Sequence, residues 1–124
     1  MRNLKVISLA TAAALTATGN GAAVDVRRYS GEARLALNAS ATGAAGQTYN
    51  AKIQDSADGS TGWTDTGIAF AQVGNAAASQ EVVGVNVDRF RAFIRVVDTL
   101  AGTNPTVTRA VTLIAKAGAE GGNA

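Results

Sequence analysis

The sequence predicts an all-β domain, a two-sheet antiparallel β-sandwich with an extended N-terminal arm. Three observations support this prediction. Short segments that alternate apolar and polar residues recur along the chain, turn-forming residues separate them, and no long segment has the apolar period of a helix. Seven or eight strands at this spacing fit either a jelly-roll or an immunoglobulin-like connection.

The most informative segment is a predicted hairpin over residues 49–70, with the sequence YNAKIQDSADGSTGWTDTGIAF. Every second residue from Tyr49 to Ile53 is apolar, which is the period of a half-buried strand. The tip, residues 55–62, is rich in Asp, Ser and Gly, which suit tight turns. Trp63 is the only tryptophan of the chain, and we expect it to anchor the base of this hairpin.

Alternating patterns also predict strands on either side of the hairpin. These strands are assigned to residues 23–26, 32–39, 80–88, 89–97 and 106–116. In the segment 89–97, three arginines share one face with two apolar residues, while the other face is apolar throughout. Residues 71–79 are expected to form a loop, in which the Ala run favours a helical turn.

Residues 1–23 resemble a secretory signal peptide, because a basic start precedes an apolar run and a small-residue end. The apolar run is shorter than the ~20 residues that span a bilayer. We therefore expect residues 1–23 to remain in the mature protein as an arm or edge strand. A first strand over residues 4–9 is the favoured interpretation, and a short helix over residues 9–15 is the alternative.

The composition predicts one domain that gains stability by assembly. We assign residues 24–117 to the sandwich and residues 118–124 to a flexible tail. Ala, Gly, Val and Thr dominate and aromatic residues are only 5%, so each buried side chain removes little area from water. The net charge of +2 is too small to indicate nucleic-acid binding.

The chain contains neither Cys nor His, which excludes disulfides, thiolate chemistry and the commonest general base. We therefore expect no enzymatic activity, no cofactor and no obligatory metal. Asp55, Asp58 and Asp65 crowd one turn region and offer the hard oxygen ligands of a Ca²⁺ site. An Asp-Gly-Ser turn is nevertheless ordinary turn chemistry, so a structural turn is the favoured interpretation.

Arginine and aromatic residues mark the candidate interaction site, because both are favoured at protein–protein interfaces. The alternative is a solvated sheet face. The candidate interface residues are Arg27, Arg28, Tyr29, Arg91, Phe93 and Arg95.

Two segments, KIQDSADGSTGWTDTG and AASQEVVGVNVDRFRAFIRVVDTLAGTNPTVTRAVTLIA, resemble the small head decoration (capsid cement) proteins of tailed bacteriophages. The resemblance covers about residues 24–115. It implies a virion structural protein that binds the outer head surface and stabilises the shell. The implied partners are the major capsid protein and two further copies in a homotrimer, with no nucleic acid or membrane. The protein would be made in the host cytoplasm and reside on the capsid surface.

The same hairpin and the Arg-aromatic-Arg strand also look like carbohydrate-binding β-sandwiches of the discoidin type. A carbohydrate-binding module on a virion or secreted surface is therefore the alternative function. This chain is shorter than those domains and has few aromatic residues to stack on sugar.

Overall fold

A computed structural model describes residues 4–117, which form two antiparallel β-sheets and one 3₁₀ turn. The predicted tail, residues 118–124, lies outside the described residues. The elements are β1 (Leu4–Leu15), β2 (Gly19–Asn20), β3 (Val24–Asp25), β4 (Tyr29–Ala39), β5 (Thr48–Ser56), β6 (Thr64–Ala69), β7 (Ser79–Asn86), the 3₁₀ turn Val87–Arg89, β8 (Phe93–Ala101) and β9 (Val107–Ala117). Between residues 4 and 117, no helix is long and apolar enough to cross a bilayer.

The order of the strands identifies a jelly roll. The first sheet has the order β1-β9-β4-β7, and the second has the order β2-β8-β5-β6, with β3 also paired to β8. Since β2 and β3 pair with consecutive stretches of β8, they act as one interrupted edge strand. The chain alternates between the sheets except at the β5–β6 hairpin, which is the jelly-roll and not the immunoglobulin connection. The predicted fold class is confirmed.

The core lies between the sheets and follows the period-2 pattern of the sequence. In β4 the side chains from Ala33 to Ala39 at alternate positions are all buried, and Leu35 is fully enclosed. In β5, Tyr49 and Ile53 are fully buried, and the residues between them are alternately half-buried and buried. This pattern arises because successive side chains of a strand point to opposite faces of a sheet.

One ion pair crosses this apolar core. Asp98 of β8 and Arg109 of β9 form a salt bridge of 2.7 Å between Oδ2 and Nη2, with side chains 5% and 8% exposed. The Tyr49 hydroxyl also donates to Asp98, and the second Arg109 Nη donates to the Thr11 carbonyl of β1 at 2.8 Å. The sequence interpretation ended the strand before Asp98 and left Arg109 among polar positions. Asp98 instead lies inside β8. Arg109 lies in the last strand, as predicted, but it is buried, and the pair joins the two sheets.

The N-terminal segment is extended and forms the edge strand β1, which pairs with β9 from Leu4 opposite Lys116 to Leu15 opposite Val107. Leu9 is buried, so the strand contributes to the core. The alternative helix over residues 9–15 is wrong, because pairing with β9 outweighs the weak helix propensity of the Ala run. The strand also extends beyond the predicted residues 4–9.

The predicted strand over residues 89–97 is wrong in its first half. Asn86 caps a 3₁₀ turn by accepting a hydrogen bond from the Asp88 N–H, and β8 begins only at Phe93. Arg91 donates its backbone N–H to the Asp55 carboxylate at 3.1 Å, where a continuous strand would need it for pairing. The expected helical turn within residues 71–79 is likewise absent, since no helix is assigned there.

Candidate interaction surface

The outer side of the second sheet gathers two arginines and two aromatic rings. We call this surface the arginine–aromatic face and define it by Arg27, Trp63, Phe93 and Arg95. Phe93 and Arg95 share one side of β8 because they are two residues apart. The Arg27 guanidinium carbon lies 5.1 Å from the Phe93 ring centroid, and that of Arg95 lies 4.3 Å from the Trp63 centroid. Both distances fit cation–π contacts.

A row of hydrogen bonds fixes Arg95 over the indole. The Arg95 Nε and Nη2 atoms both donate to Gln54 Oε1, at 3.0 and 2.7 Å. Gln54 in turn donates to the Asp65 carboxylate at 2.9 Å, and Lys52 forms a salt bridge with Asp65. The guanidinium is therefore held in one orientation before any partner arrives, which lowers the entropic cost of binding.

Arg27 is held by a neighbour in the same way. Its Nη2 atom lies 2.6 Å from an Asp25 carboxylate oxygen, and its Nε and backbone N–H donate to the other oxygen. The side-chain hydrogen bond from Arg27 is the main reason why the pKa of Asp25 falls to about 2. The hairpin tip covers part of Phe93, since a Cβ atom added at Gly59 would lie 3.0 Å from the ring.

Arg91 holds the hairpin together. Its Nε donates to the Asp55 carboxylate at 3.0 Å, and Nη2 donates to the Asp55 and Gly62 carbonyls, both at 2.7 Å. Burial opposes ionisation of Asp55, but the hydrogen bonds from Arg91 and Thr64 outweigh it and lower the pKa of Asp55. Arg91 therefore connects the entry of β8 to both arms of the hairpin.

We expect this contact to make the stability depend on acid pH. A lowered pKa in the folded state adds stability above the unfolded pKa, and that stability is lost as the pH falls through the folded pKa. The Asp55→Asn variant should be less stable at neutral pH and lose less stability between about pH 5 and pH 2. Urea unfolding across this range checks the prediction. Asp88→Asn, which removes an exposed carboxylate, is the control, and parallel profiles for both variants would contradict it.

The remaining candidate residues do not join the face. Arg28 is exposed in the turn before β4, and Tyr29 is half-buried and packs against the core. The structure thus places Arg27, Phe93 and Arg95 on this face, while Arg27 also lines a small hollow with Tyr29 and Arg91. Trp63 was predicted only as a hairpin anchor, and its contact with Arg95 could not be found without knowing that β8 pairs with β5.

The three carboxylates of the hairpin each have protein partners. Asp58 accepts hydrogen bonds from the Ser60 and Thr61 backbone N–H groups, both at 2.9 Å, so its oxygens face its own turn. These backbone bonds hold the pKa of Asp58 far below its usual range. Asp55 and Asp65 bind Arg91 and Lys52 respectively. Within residues 4–117, no group of three or more acidic side chains is placed to hold a metal ion.

No family model and no curated protein matches the chain. Solved structures do share its fold. A chain in the structure of infectious bursal disease virus, Gt strain, matches with a TM-score of 0.59 and 10% identity over 96% of this chain and 33% of the viral one. A chain in the structure of the Gx strain matches with a TM-score of 0.56 and 9% identity, over 94% of this chain and 32% of the viral one. The protein thus spans about a third of those viral chains, and at such identities the likeness shows a shared fold alone.

A weaker likeness is to the CBM36-1 domain of a multidomain xylanase from the hindgut metagenome of Trinervitermes trinervoides. Its TM-score is 0.46 at 12% identity, over 94% of this chain and all of that domain. A similarity at this level carries no functional argument.

Proposed function

We propose that this chain is a virion structural protein that decorates the outer surface of a bacteriophage head and stabilises the shell. The observation that carries the proposal is the jelly-roll connection, a fold used by viral capsid domains and shared with chains of a virus structure. The pattern-level resemblance of the sequence to head decoration proteins adds the bacteriophage context. In this proposal the protein is synthesised in the host cytoplasm and resides on the capsid surface.

The arginine–aromatic face is the surface that we assign to the major capsid protein. Arg, Trp and Phe are enriched at the centres of protein interfaces, where they account for much of the binding energy. Gln54 and Asp25 hold the two guanidinium groups in place, so little side-chain freedom remains to be lost on binding. The function needs no catalysis, cofactor, nucleic acid or membrane.

Self-association completes the proposal. The core contains many small side chains, including fully or nearly fully buried Ala33, Ala51 and Ala115, which remove less apolar area from water than larger residues would. Binding to copies of itself or to the shell stabilises such a native state by mass action. A homotrimer suits a three-fold position of a capsid lattice, because closed cyclic symmetry limits the size of the assembly.

The test is co-sedimentation of the purified protein with heads of the encoding phage that lack it, together with the melting temperature of those heads. We expect the intact protein to bind and to raise that melting temperature. Arg95→Ala and Trp63→Ala should each weaken binding about tenfold or more, as truncation of an interface hot spot does. Arg28→Ala, an exposed arginine outside the face, should bind like the intact protein.

Point variants are preferable to deletion of β1, because β1 supplies the buried Leu9 and its removal would uncover β9. Failure of the intact protein to bind the heads would reject the proposal. Unchanged binding of both face variants would reject the face and leave the capsid role standing.

The carbohydrate-binding alternative needs aromatic rings that are open to sugar. Trp63 and Phe93 instead each carry a guanidinium group over the ring, at 4.3 and 5.1 Å from the centroids. A glycan array separates the two functions: binding there, combined with no binding to heads, would favour the carbohydrate-binding module.

A further inference from the structure

A polar cleft of about 810 Å³ lies on the side of the sandwich opposite β1, where β7 and β6 are the edge strands of the two sheets. None of the four residues that define the arginine–aromatic face lines it, although Asp65, which accepts a hydrogen bond from Gln54, does. The walls of the cleft come from β4, β5, β6, β7 and the segment after β7. The polar side chains that matter here are Glu32, Arg34, Asp55, Asp65, Arg89 and Arg91.

Three acidic and three basic side chains line the cleft, and Lys52 beside it leaves one positive charge in excess. Asp55 is neutralised by Arg91 and Asp65 by Lys52, in both cases through nitrogen–oxygen distances of 3.0 Å. Arg34 and Arg89 are exposed, and neither forms a salt bridge with any residue between 4 and 117.

Glu32 is the one acidic side chain of the cleft without such a pair in the same part of the chain. Two guanidinium groups against one carboxylate favour an anionic ligand.

The edge of β7 differs from the other sheet edges in its regularity. β7 pairs with β4 over eight residues without a register shift, from Ser79 opposite Ala39 to Asn86 opposite Glu32. In contrast, β1 has two irregularities, β6 has one, and the remaining edge is divided into β2 and β3. Bulges and breaks protect sheet edges from pairing with another chain, and β7 has no such protection within the described residues.

A glycine in β7 leaves room for the Arg34 guanidinium beside this edge. Gly84 of β7 lies opposite Arg34 of β4, and a Cβ atom added at Gly84 would lie 3.5 Å from Arg34 Nη1. The guanidinium of Arg34 therefore lies beside the main chain of β7. Arg89 follows β7 directly in the 3₁₀ turn. Both arginines line the cleft beside this edge.

We propose that this cleft binds an extended acidic segment of a partner protein, which adds to the free edge of β7 and places carboxylates against Arg34 and Arg89. Main-chain hydrogen bonds supply affinity in such strand addition, and alternate side chains supply specificity. A carboxylated sugar is disfavoured, because Phe90 is the only aromatic residue that lines the cleft. The inference stands independently of the capsid role.

The test uses a labelled eight-residue peptide of alternating Thr and Glu, which matches the eight residues of β7. We expect it to bind the full chain and to shift the NMR amide signals of residues 84–86. Arg34→Glu and Arg89→Glu should each weaken binding about tenfold, as expected for loss of a close charge pair. Lys5→Glu, the same charge reversal on the exposed face of the opposite edge strand, should leave binding unchanged.

Two further kinds of probe complete the test. A Thr/Lys peptide should not bind. Of two Thr/Glu peptides with N-methyl groups at all Thr or at all Glu residues, the one whose methylated amides face β7 should bind at least about tenfold more weakly, because alternate N–H groups of a strand point to opposite sides. Equal binding of the Glu and Lys peptides, no binding of the Glu peptide, or insensitivity to N-methylation would each overturn the proposal.

Binding of an oligosaccharide of glucuronic acid with the same variant sensitivity, without peptide binding, would assign the cleft to glycans. Thermal melting verifies that each variant is folded. If Arg34→Glu is not folded, Arg34→Gln is used in its place.

Discussion

Replacing Arg109 by methionine is expected to lower the free energy of unfolding by about 3–5 kcal/mol, the cost of breaking a buried ion pair by removing one partner. The Asp98 carboxylate would lose its ion-pair partner while its side chain is only 5% exposed. The Tyr49 hydroxyl would remain its one side-chain donor among the described residues. Burial, followed by the hydrogen bond to Asp98, raises the pKa of Tyr49 well above its usual range, so this hydroxyl stays protonated.

The control removes both charges at once. Asp98→Leu combined with Arg109→Met leaves no buried ion, and such replacements are often neutral or stabilising. We expect the triple variant, which also carries Tyr49→Phe to avoid an unpaired hydroxyl, to recover most of the lost stability. Urea unfolding of the three proteins measures the difference. A loss below about 1 kcal/mol in Arg109→Met, the range of an exposed pair, would show that the pair is solvated.

The second large effect is expected at Gly102, in the loop between β8 and β9. Its φ of +107° lies in the region that glycine adopts and other residues avoid. A Cβ atom there would lie 2.7 Å from the Gly46 carbonyl oxygen and 2.9 Å from the Gln47 Cα. Because both atoms belong to the backbone, no side-chain rotation relieves the contact. Gly102→Ala should cost about 2–5 kcal/mol from backbone strain and overpacking together.

Gly46→Ala is the matched control, since Gly46 also has a positive φ of +84° but nothing within 4 Å of an added Cβ atom. It should cost only the backbone term, about 1–2 kcal/mol. Urea midpoints of the two variants isolate the contact with residues 46 and 47. Equal losses would mean that the loop moves aside and that the close approach is not enforced.

The sequence predicted the parts of the fold that depend on nearest neighbours. Alternation alone identified the inward sides of β4 and β5, because burial on one face of a sheet requires a period of two. It failed for residues 89–92, where the alternation continues but the Asp55 carboxylate takes the Arg91 N–H. The spacing of residues in one sequence does not show that a carboxylate competes with strand pairing for this N–H group.

The sequence predicted that arginine and aromatic residues form the candidate site, but not which of them lie together. Arg95 and Phe93 share a face because of their spacing, which the sequence contains. Trp63 joins them only because β8 pairs with β5, and that pairing brings Gln54 opposite Arg95. Asp98 and Arg109 were missed for the same reason, since polar residues within strands give no sign of a partner on the facing sheet.

The hydrogen bond from Arg109 to the Thr11 carbonyl has a consequence for motion. It fastens the N-terminal strand to the ion pair that joins the two sheets, so β1 cannot detach without exposing buried charge. Edge strands commonly fray, and their amides then exchange with solvent far faster than those of the core. Here the amides of β1 that bond to β9 should instead exchange in the same cooperative unit as β8 and β9. In Arg109→Met they should begin to exchange by a separate local opening.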